Sequence, residues 1–245
     1  MNPSSKQKIL ILGASSGIGH EVARRFIEMG WSVGVAARRE APLATLKALA
    51  PERVEYAQVD VLAEDAPTRL QRLAESLGGI DIYFHCSGIG SQNRQLELSI
   101  EENTVRTNAV GFTRVMNWAY HYFEQRGGGH IAAISSIAGT KGLGPAPSYS
   151  ATKAFQNCYI EALEQLARQQ NLHIRFTDIR PGFVETALLG DSPNYPMMMS
   201  AAKVARSIVK ALVGGDDVKV IDWRYRILVP LWRLLPRWIW KRMRL

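Results

Sequence analysis

Cysteines and long apolar runs are scarce in this sequence of 245 residues. The two cysteines, Cys86 and Cys158, stand far apart, without a CxxC pair or a cluster of histidines beside them. Their scarcity argues against a disulfide framework and against a metal site, and it favours a reducing, intracellular compartment. The apolar run at 9–12 ends abruptly at Gly13, so it is too short for a secretory leader and is typical of a first strand.

Excess positive charge is absent from most of the chain, although the net charge is +8. The excess is confined to residues 223–245, a segment without Asp or Glu whose basic residues are Arg224, Arg226, Arg233, Arg237, Lys241, Arg242 and Arg244. A nucleic-acid-binding domain carries a basic stripe on its folded surface. The distribution therefore argues against nucleic acid as a partner.

Short apolar runs alternate with longer amphipathic stretches along the chain. The predicted strands are 8–12, 32–36, 54–59, 80–85, 130–135, 174–179 and 218–221, and the predicted helices are 17–29, 41–50, 65–77, 100–125, 149–170 and 201–213. Apolar strands that alternate with helices predict an α/β fold, a doubly wound parallel sheet with helices on both faces. Because no repeat or linker divides the chain, we predict one domain over 1–222 and a basic, Trp-rich tail over 223–245.

Glycines Gly13, Gly17 and Gly19 lie between the first predicted strand and the first helix. Glycine permits positive φ and close approach of a ligand, and the free N–H groups at a helix start attract phosphate. A tight turn alone is the alternative. The first βα unit of a doubly wound sheet is where a dinucleotide pyrophosphate binds, which favours a nucleotide site.

Residues after the second and third strands predict which dinucleotide is bound. Ala37 stands where an NAD-selective site carries a carboxylate, and Arg38 and Arg39 follow it. Guanidinium groups suit a 2′-phosphate, so NADP(H) is favoured over NAD(H). Alternatively both arginines are simply solvated, Arg39 in particular. Asp60 is placed to accept from an adenine amino group, or else it is a turn residue.

Tyr149 and Lys153 lie one helical turn apart, so they share a helix face. A phenol with a pKa near 10 is a poor acid or base at neutral pH, and a neighbouring cation lowers that pKa. Such a pair suits proton transfer to a developing alkoxide, with the hydroxyl of Ser136 holding the carbonyl oxygen. The same spacing also occurs by chance, with the tyrosine packed and the lysine solvated.

Taken together, these motifs resemble the short-chain dehydrogenase/reductase family over roughly residues 8–222. Residues 13–19 match its cofactor loop, and Asn108 matches its structural and proton-relay asparagine. Ser136, Tyr149 and Lys153 match the rest of its catalytic tetrad, and residues 180–186 match its segment after the sixth strand.

The resemblance implies a Rossmann fold, hydride transfer between a nicotinamide and a carbonyl or alcohol, and a homodimer or homotetramer. Tyr149 is then the general acid/base, Lys153 lowers its pKa and binds the nicotinamide ribose, Ser136 positions the substrate oxygen, and Asn108 holds a relay water. The cofactor contacts expected on this basis are Gly13, Ser15, Ser16, Gly17, Ile18, Gly19, Arg38, Arg39, Asp60, Val61, Ser87, Gly88, Tyr149, Lys153, Pro181, Gly182, Val184 and Thr186.

Two positions depart from the family pattern. Leu12 replaces a threonine before the first glycine, and the stretch "HCSG" that begins at His85 replaces Asn-Asn-Ala-Gly. Neither change affects the hydride-transfer groups, so we expect altered loop bracing only. A single histidine that ends a strand is more often structural than a second proton donor.

Residues 186–213 correspond to the variable substrate lid of the family. Its apolar residues predict a hydrophobic carbonyl or alcohol as substrate, with the lining drawn from Leu188, Leu189, Tyr195, Met197 and Met198, beside Met199. Alternatively, the methionines pack as the core of the following helix. No charged anchor for a phosphate or carboxylate is evident there.

The tail holds four of the six tryptophans, Trp223, Trp232, Trp238 and Trp240. Pro230 and Pro236 are expected to break any continuous helix, and the arginines are too frequent for a transmembrane span. Aromatic rings with cations favour a segment that lies on the cytoplasmic face of an anionic membrane. Alternatively, the tail packs on a partner subunit or over the substrate cleft. An NADPH-dependent reductase is the favoured function, and a non-catalytic nucleotide sensor or membrane scaffold on the same fold is the alternative.

Overall fold

A central sheet of seven parallel strands organises the computed structural model, which describes residues 7–186, 195 and 197–243. The spatial order of the strands is β3-β2-β1-β4-β5-β6-β9, and β7 pairs with β8 in a separate two-stranded ribbon. The strand bounds are β1 Lys8–Leu12, β2 Ser32–Ala37, β3 Val54–Gln58, β4 Ile82–His85, β5 Gly129–Ile134, β6 Ile174–Pro181, β7 Val184–Glu185, β8 Met199–Ser200 and β9 Val218–Ile221.

Helices connect the strands and cover both faces of the sheet. The α-helices are α1 Gly17–Glu28, α2 Ala41–Leu49, α3 Ala66–Ser76, α4 Leu98–Val105, α5 Phe112–Gln125, α6 Pro147–Gln169, α7 Ala201–Gly214, α8 Trp223–Leu234 and α9 Arg237–Trp240. A π-helical turn, Arg106–Gly111, joins α4 to α5, and a 3-10 turn, Ile137–Thr140, follows β5. The doubly wound α/β fold predicted from the sequence is thereby confirmed.

The strand order reverses between β1 and β4, and both strands end at the same edge of the sheet. In open α/β sheets a ligand binds in the crevice outside the carboxyl ends of the strands at this switch point. β1 is buried on both faces, because Ile9 and Ile11 belong to one core cluster and Leu10 and Leu12 to the other. The switch point is therefore held between two packed layers.

The prediction of one continuous helix over 100–125 is wrong. α4 begins at Leu98, and the π turn interrupts the helix before α5. Apolar periodicity does not reveal one inserted residue, and π turns of this kind are frequent at functional sites. The other predicted elements agree with the observed bounds within about two residues.

The tail is helical through Pro230, which corrects the prediction that this proline breaks the helix. α8 continues to Leu234, and Pro236 separates it from α9. A proline inside a helix costs ~3 kcal/mol, because one backbone hydrogen bond is lost. Burial of Tyr225 and Val229 against the core offsets this cost. Among the residues described, no helix has both the length and the apolarity needed to cross a bilayer.

Candidate active site

The glycine-rich loop forms a cradle that side chains would fill. Gly13 has φ +100°, and a Cβ on it would lie 2.6 Å from the backbone nitrogen of Ser87. A Cβ on Gly19 would lie 2.3 Å from the carbonyl oxygen of Gly13. Because α1 begins at Gly17, its free N–H groups lie beside this cradle. The loop therefore has the shape and polarity that a pyrophosphate needs, and its role in binding the cofactor stays a prediction.

Arg39, rather than Arg38, contacts the glycine loop. Its Nη2 lies 2.9 Å from Oγ of Ser16 and 3.3 Å from Oγ of Ser15. Arg38 contributes its backbone carbonyl, which accepts from Gln58. The residue that the sequence pattern favoured less thus lies beside the loop, with its guanidinium exposed to solvent.

Asp60 and Val61 follow β3 at the same edge of the sheet. Oδ1 of Asp60 accepts a bond of 3.0 Å from the backbone nitrogen of Leu62, which is a turn interaction. Val61 is buried, and a Cβ on Gly111 would lie 2.7 Å from it. Asp60 is half-buried, so it is both a turn residue and available at the cofactor edge.

Ser136 lies close enough to Tyr149 for its side chain to lower the pKa of the phenol. Ser136 lies directly after β5, where its Oγ accepts from the backbone nitrogen of Ala138 at 3.1 Å and lies 3.4 Å from the carbonyl oxygen of Pro181. Burial raises the pKa of Tyr149, and the neighbouring Ser136 side chain opposes that rise. The phenol is therefore protonated at neutral pH.

Lys153 is buried one turn further along α6. Its Nζ donates to the carbonyl oxygen of Ile134 at 3.0 Å and to Oε1 of Gln156 at 2.8 Å, and it lies 5.7 Å from the centre of the Tyr149 ring. Burial lowers the pKa of Lys153 to about 8, although Cys86 and Asp178 act in the opposite direction. The sequence predicted that the lysine lowers the pKa of Tyr149, whereas here burial raises that pKa and the opposing influence comes from Ser136.

Asn108 lies in the π turn and is fully buried. Its amide pairs with the backbone of Ile89 in both directions, at 2.9 and 2.7 Å, and its Nδ2 also reaches Oγ1 of Thr152. The backbone carbonyl oxygen of Asn108 accepts a hydrogen bond of 2.9 Å from Nε2 of Gln156. Gln156 thus joins Asn108 to Lys153, a role that sequence reasoning missed because the residue reads as one more polar position on a helix.

Gly90 is a second residue that sequence reasoning missed. A Cβ on Gly90 would lie 2.3 Å from a ring carbon of Tyr149, so the loop after β4 packs directly on the phenol. Its neighbour Gly88 approaches the amide of Asn108, at 3.3 Å from an ideal Cβ. The loop 87–90 therefore closes one side of the site, where Ser87 and Gly88 were predicted.

His85 and Cys86 are structural in this arrangement. Nε2 of His85 lies 2.8 Å from the carbonyl oxygen of Ser87 and Nδ1 lies 3.1 Å from the hydroxyl of Tyr83, so Nε2 must carry the proton. Burial lowers the pKa of His85 to about 3, and the Lys153 charge adds to that effect. Burial also raises the pKa of the Cys86 thiol to about 12. His85 thus braces the loop after β4, at a position where the family pattern has asparagine.

The sequence profile of the short chain dehydrogenase family matches residues 7–195, which is most of the chain. This chain belongs to the short-chain dehydrogenase family. A relative from Mycobacterium tuberculosis strain H37Rv, named as an uncharacterized oxidoreductase, is 34% identical over 244 residues, covering 95% of this chain and 96% of the relative. The enzyme class predicted from the sequence is confirmed: the chain is an oxidoreductase of this family.

Solved structures of the family superpose closely on this short-chain dehydrogenase. A variant of actinorhodin polyketide ketoreductase with NADPH has a TM-score of 0.75 at 26% identity, over 88% of this chain and 95% of the other. A short chain dehydrogenase/reductase from Burkholderia phymatum in complex with NAD has a TM-score of 0.79 at 19% identity, over 94% of each chain. The second likeness concerns the fold alone.

The segment after β6 returns to the glycine loop in this dehydrogenase. An ideal Cβ on Gly17 would lie 3.1 Å from the Thr186 side chain, which brings these two predicted cofactor contacts together. Val184 is buried in β7, and Pro181 ends β6 beside Ser136. Gly182 lies against the ring of Tyr225, so the tail packs on this segment.

The substrate lid is described only in part, and Leu188 and Leu189 lie outside the described residues. Tyr195 stacks on Phe183 with ring centres 4.6 Å apart, and its hydroxyl accepts from Gln92 at 2.9 Å. Met199 is buried in β8, and Met197 packs against the same core, which favours the core interpretation for both. Met198 is half-buried.

The tail forms hydrogen bonds with the loop that precedes Tyr149. Nε1 of Trp232 donates to Oγ1 of Thr140 at 2.8 Å, and Nε1 of Trp240 donates to the carbonyl oxygen of Gly142 at 2.8 Å. Lys141 returns the contact by donating to the carbonyl oxygen of Leu235 at 2.8 Å. Three hydrogen bonds thus fasten the tail beside the candidate active site.

Proposed function

We propose that this protein is an NADPH-dependent reductase that interconverts a carbonyl and an alcohol on a small, hydrophobic substrate. The observation that carries the proposal is the grouping of Ser136, Tyr149 and Lys153 after β5: Ser136 lowers the pKa of the phenol, and the buried Nζ of Lys153 lies 5.7 Å from the centre of its ring. A binding scaffold needs none of these three groups in this arrangement. The alternative of a non-catalytic nucleotide sensor or membrane scaffold is therefore less well supported.

A reduced nicotinamide supplies the hydride in this chemistry, and the residues present fit such a group. The cradle at Gly13 and Gly17 leaves room for a pyrophosphate, and a Cβ at either glycine would reduce that room. Thr186 lies beside Gly17, on the side where we place the nicotinamide end, near Pro181, Gly182 and Val184. Asp60 and Val61 then border the adenine.

Tyr149 gives its proton to the substrate oxygen as that oxygen gains negative charge. Burial raises the pKa of the phenol, so it is fully protonated and ready to donate at neutral pH. The Lys153 ammonium stabilises the charge that the phenol acquires. Ser136 holds the same oxygen through its hydroxyl, and Asn108 fixes the loop that closes the site through its paired bonds to Ile89.

Preference for NADP(H) over NAD(H) is supported by the contact of Arg39 with Ser15 and Ser16. A 2′-phosphate near these serines would meet a guanidinium and no carboxylate, since Ala37 ends β2. The 26% identical ketoreductase was solved with NADPH, which agrees with this choice. The more distant structure with NAD shows that the fold itself accepts either cofactor.

A hydrophobic substrate is supported by the apolar surroundings of the lid. Phe183 and Tyr195 form a stacked pair there, and Met198 adds an adaptable side chain. Following the family, we also propose a homodimer or homotetramer. We place the enzyme in the cytoplasm, at the inner face of the membrane, through residues 223–245.

The decisive test follows NADPH absorbance with the purified protein and a panel of aliphatic aldehydes, cyclic ketones and β-keto esters. We expect oxidation with apolar members, and Tyr149→Phe should lower kcat/KM about 100- to 10,000-fold, because the proton donor is lost. Quenching of tryptophan fluorescence by NADPH should remain the same in this variant. Full activity of Tyr149→Phe contradicts the mechanism, and NADPH binding without turnover of any carbonyl supports the scaffold instead.

A further inference from the structure

The tail helix α8 is apolar on two opposite sides. Its inner side buries Tyr225 and Val229 in the core of the domain. Its outer side presents a row spaced four, four and three residues apart, which shares one face of a helix. The members of this row, the outer face, are 57 to 79% exposed: Trp223, Ile227, Leu231 and Leu234.

The short helix α9 extends the apolar surface beyond Pro236. Trp238 is 63% exposed, and the guanidinium of Arg242 lies 5.8 Å from the centre of its ring. Scattered apolar residues on a surface need no explanation, whereas a row of four followed by a tryptophan marks an interaction site. The indole and guanidinium of this pair are a combination suited to a boundary between water and lipid.

Cations flank the outer face, and carboxylates do not balance them. Arg226, Arg233, Arg237 and Lys241 are exposed, and no described carboxylate lies within 4.0 Å of any of them. Asp222, which precedes α8 directly, is already paired with Arg224 and Lys203. The field over this face is therefore positive.

This charge distribution identifies the occupant. A second copy of the chain that packed on the outer face through a two-fold axis would bring the same cations against one another, which is unfavourable. A bilayer with anionic headgroups instead receives apolar side chains at the acyl boundary and cations at its phosphates. Each exposed basic residue near such a surface adds to this attraction.

The helices that carry the outer face also contact the loop that leads to the candidate active site. Opposite the outer face on the same helix pair, Trp232 and Trp240 bond to the loop at Thr140 and Gly142. That loop leads directly into the first turn of α6, which carries Tyr149. Contact of the outer face with lipid would therefore leave only the tail helices between this loop and the bilayer surface.

We propose that the outer face, with Trp238, docks on an anionic lipid bilayer and that the hydrophobic substrate enters the site from the lipid. The entry of substrate rests on the proposed reductase activity, whereas the docking does not. Deletion of the tail is a poor test, because it would remove Tyr225 and Val229 from the core. Substitutions confined to exposed positions are needed.

The test is co-sedimentation of the full chain with vesicles of phosphatidylcholine alone or of phosphatidylcholine mixed with phosphatidylserine. We expect binding to the mixed vesicles that weakens as salt rises. The triple variant Ile227→Gln, Leu231→Gln, Leu234→Gln should bind at least about 10-fold more weakly, because three apolar side chains no longer enter the lipid. A matched control, Leu49→Gln with Leu98→Gln, alters equally exposed leucines elsewhere and should bind like the native chain.

Equal, negligible sedimentation of the native chain with both vesicles would overturn the docking. Binding of the triple variant as strong as that of the native chain would also overturn it. The same holds if the native chain does not bind lipid and instead forms a dimer that the triple variant cannot form. Tyr149→Phe should bind vesicles normally while inactive, which separates docking from catalysis. If docking is confirmed but activity toward a long-chain aldehyde is the same in vesicles and in detergent-free buffer, entry of substrate from the lipid is wrong.

Discussion

Oε1 of Gln156 accepts a hydrogen bond of 2.8 Å from Nζ of Lys153. The amide nitrogen of Gln156 donates to the carbonyl oxygen of Asn108 at 2.9 Å, so one fully buried side chain joins the lysine to the π turn. The family resemblance predicts a relay water at Asn108, and the structure adds a protein side chain as a partner of its backbone carbonyl. A side-chain amide does not ionise near neutral pH. Gln156 therefore positions Lys153 and does not itself transfer a proton.

Replacement of Gln156 by leucine should therefore lower kcat about 10- to 100-fold, because Lys153 loses a charge-assisted hydrogen bond worth ~1.5–3 kcal/mol. The carbonyl of Gln156 favours the ammonium form, so its loss should also lower the pKa of Lys153 further. The pH at which carbonyl reduction declines should shift downward in this variant. A pH series of kcat at saturating NADPH measures both effects.

Gln156→Glu is the companion variant, because a carboxylate at the same position favours the ammonium more strongly. It should move the decline to higher pH, opposite to the leucine variant. A merely structural role for Gln156 predicts loss of thermal stability with an unshifted pH profile in both variants, and that result would contradict the positioning role.

Much of this fold and site could be predicted from the sequence. The glycines of the cofactor loop, the apolar strands and the grouping of Ser136, Tyr149 and Lys153 are local patterns whose spacing carries physical meaning. Each depends on a backbone conformation or a helix face that a few neighbouring residues determine. The structure brings the predicted serine, tyrosine and lysine together at one edge of the sheet.

Other features depend on contacts between distant segments, which leave no local signal. The bond from Gln156 to Asn108 spans 48 positions, and the packing of Gly90 on Tyr149 joins two separate loops. Pro230 remains helical because the core accepts Tyr225 and Val229, not because of residues next to the proline. Such tertiary contacts outweigh local propensity.

Gly90→Ala should lower kcat about 100-fold, because the added methyl group would lie 2.3 Å from a ring carbon of Tyr149 and must displace the phenol. NADPH affinity should change little, since the cofactor loop is untouched. Gly144→Ala is the matched control: its Cβ would meet no described atom within 4 Å, and its activity should equal that of the native enzyme. Equal kinetics for the two variants would show that the loop moves away from the phenol at no cost.

Arg39→Ala should lower kcat/KM for NADPH about 10- to 100-fold and leave that for NADH nearly unchanged, because a 2′-phosphate alone needs the guanidinium. Arg38→Ala should have the smaller effect, since the observed hydrogen bond of Arg38 is made by its backbone carbonyl to Gln58, whereas the guanidinium of Arg39 bonds to Ser15 and Ser16. Steady-state kinetics with both cofactors compare the variants directly. If Arg38→Ala lowers kcat/KM for NADPH more than Arg39→Ala does, Arg38 binds the 2′-phosphate, as the sequence pattern favoured.

The rate of carbonyl reduction should be constant from about pH 5 to 7 and should decline above about pH 8. Burial lowers the pKa of Lys153 to about 8, so the ammonium that supports the phenol is lost as pH rises through that value. Burial raises the pKa of Tyr149, so the proton donor itself stays protonated over this range. No step is expected near pH 6.5, because the pKa of His85 is lowered to about 3 and the ring is neutral throughout. The profile of His85→Asn should accordingly have the same shape as that of the native enzyme, and a step near pH 6.5 that vanishes in this variant would assign the histidine a role in proton transfer.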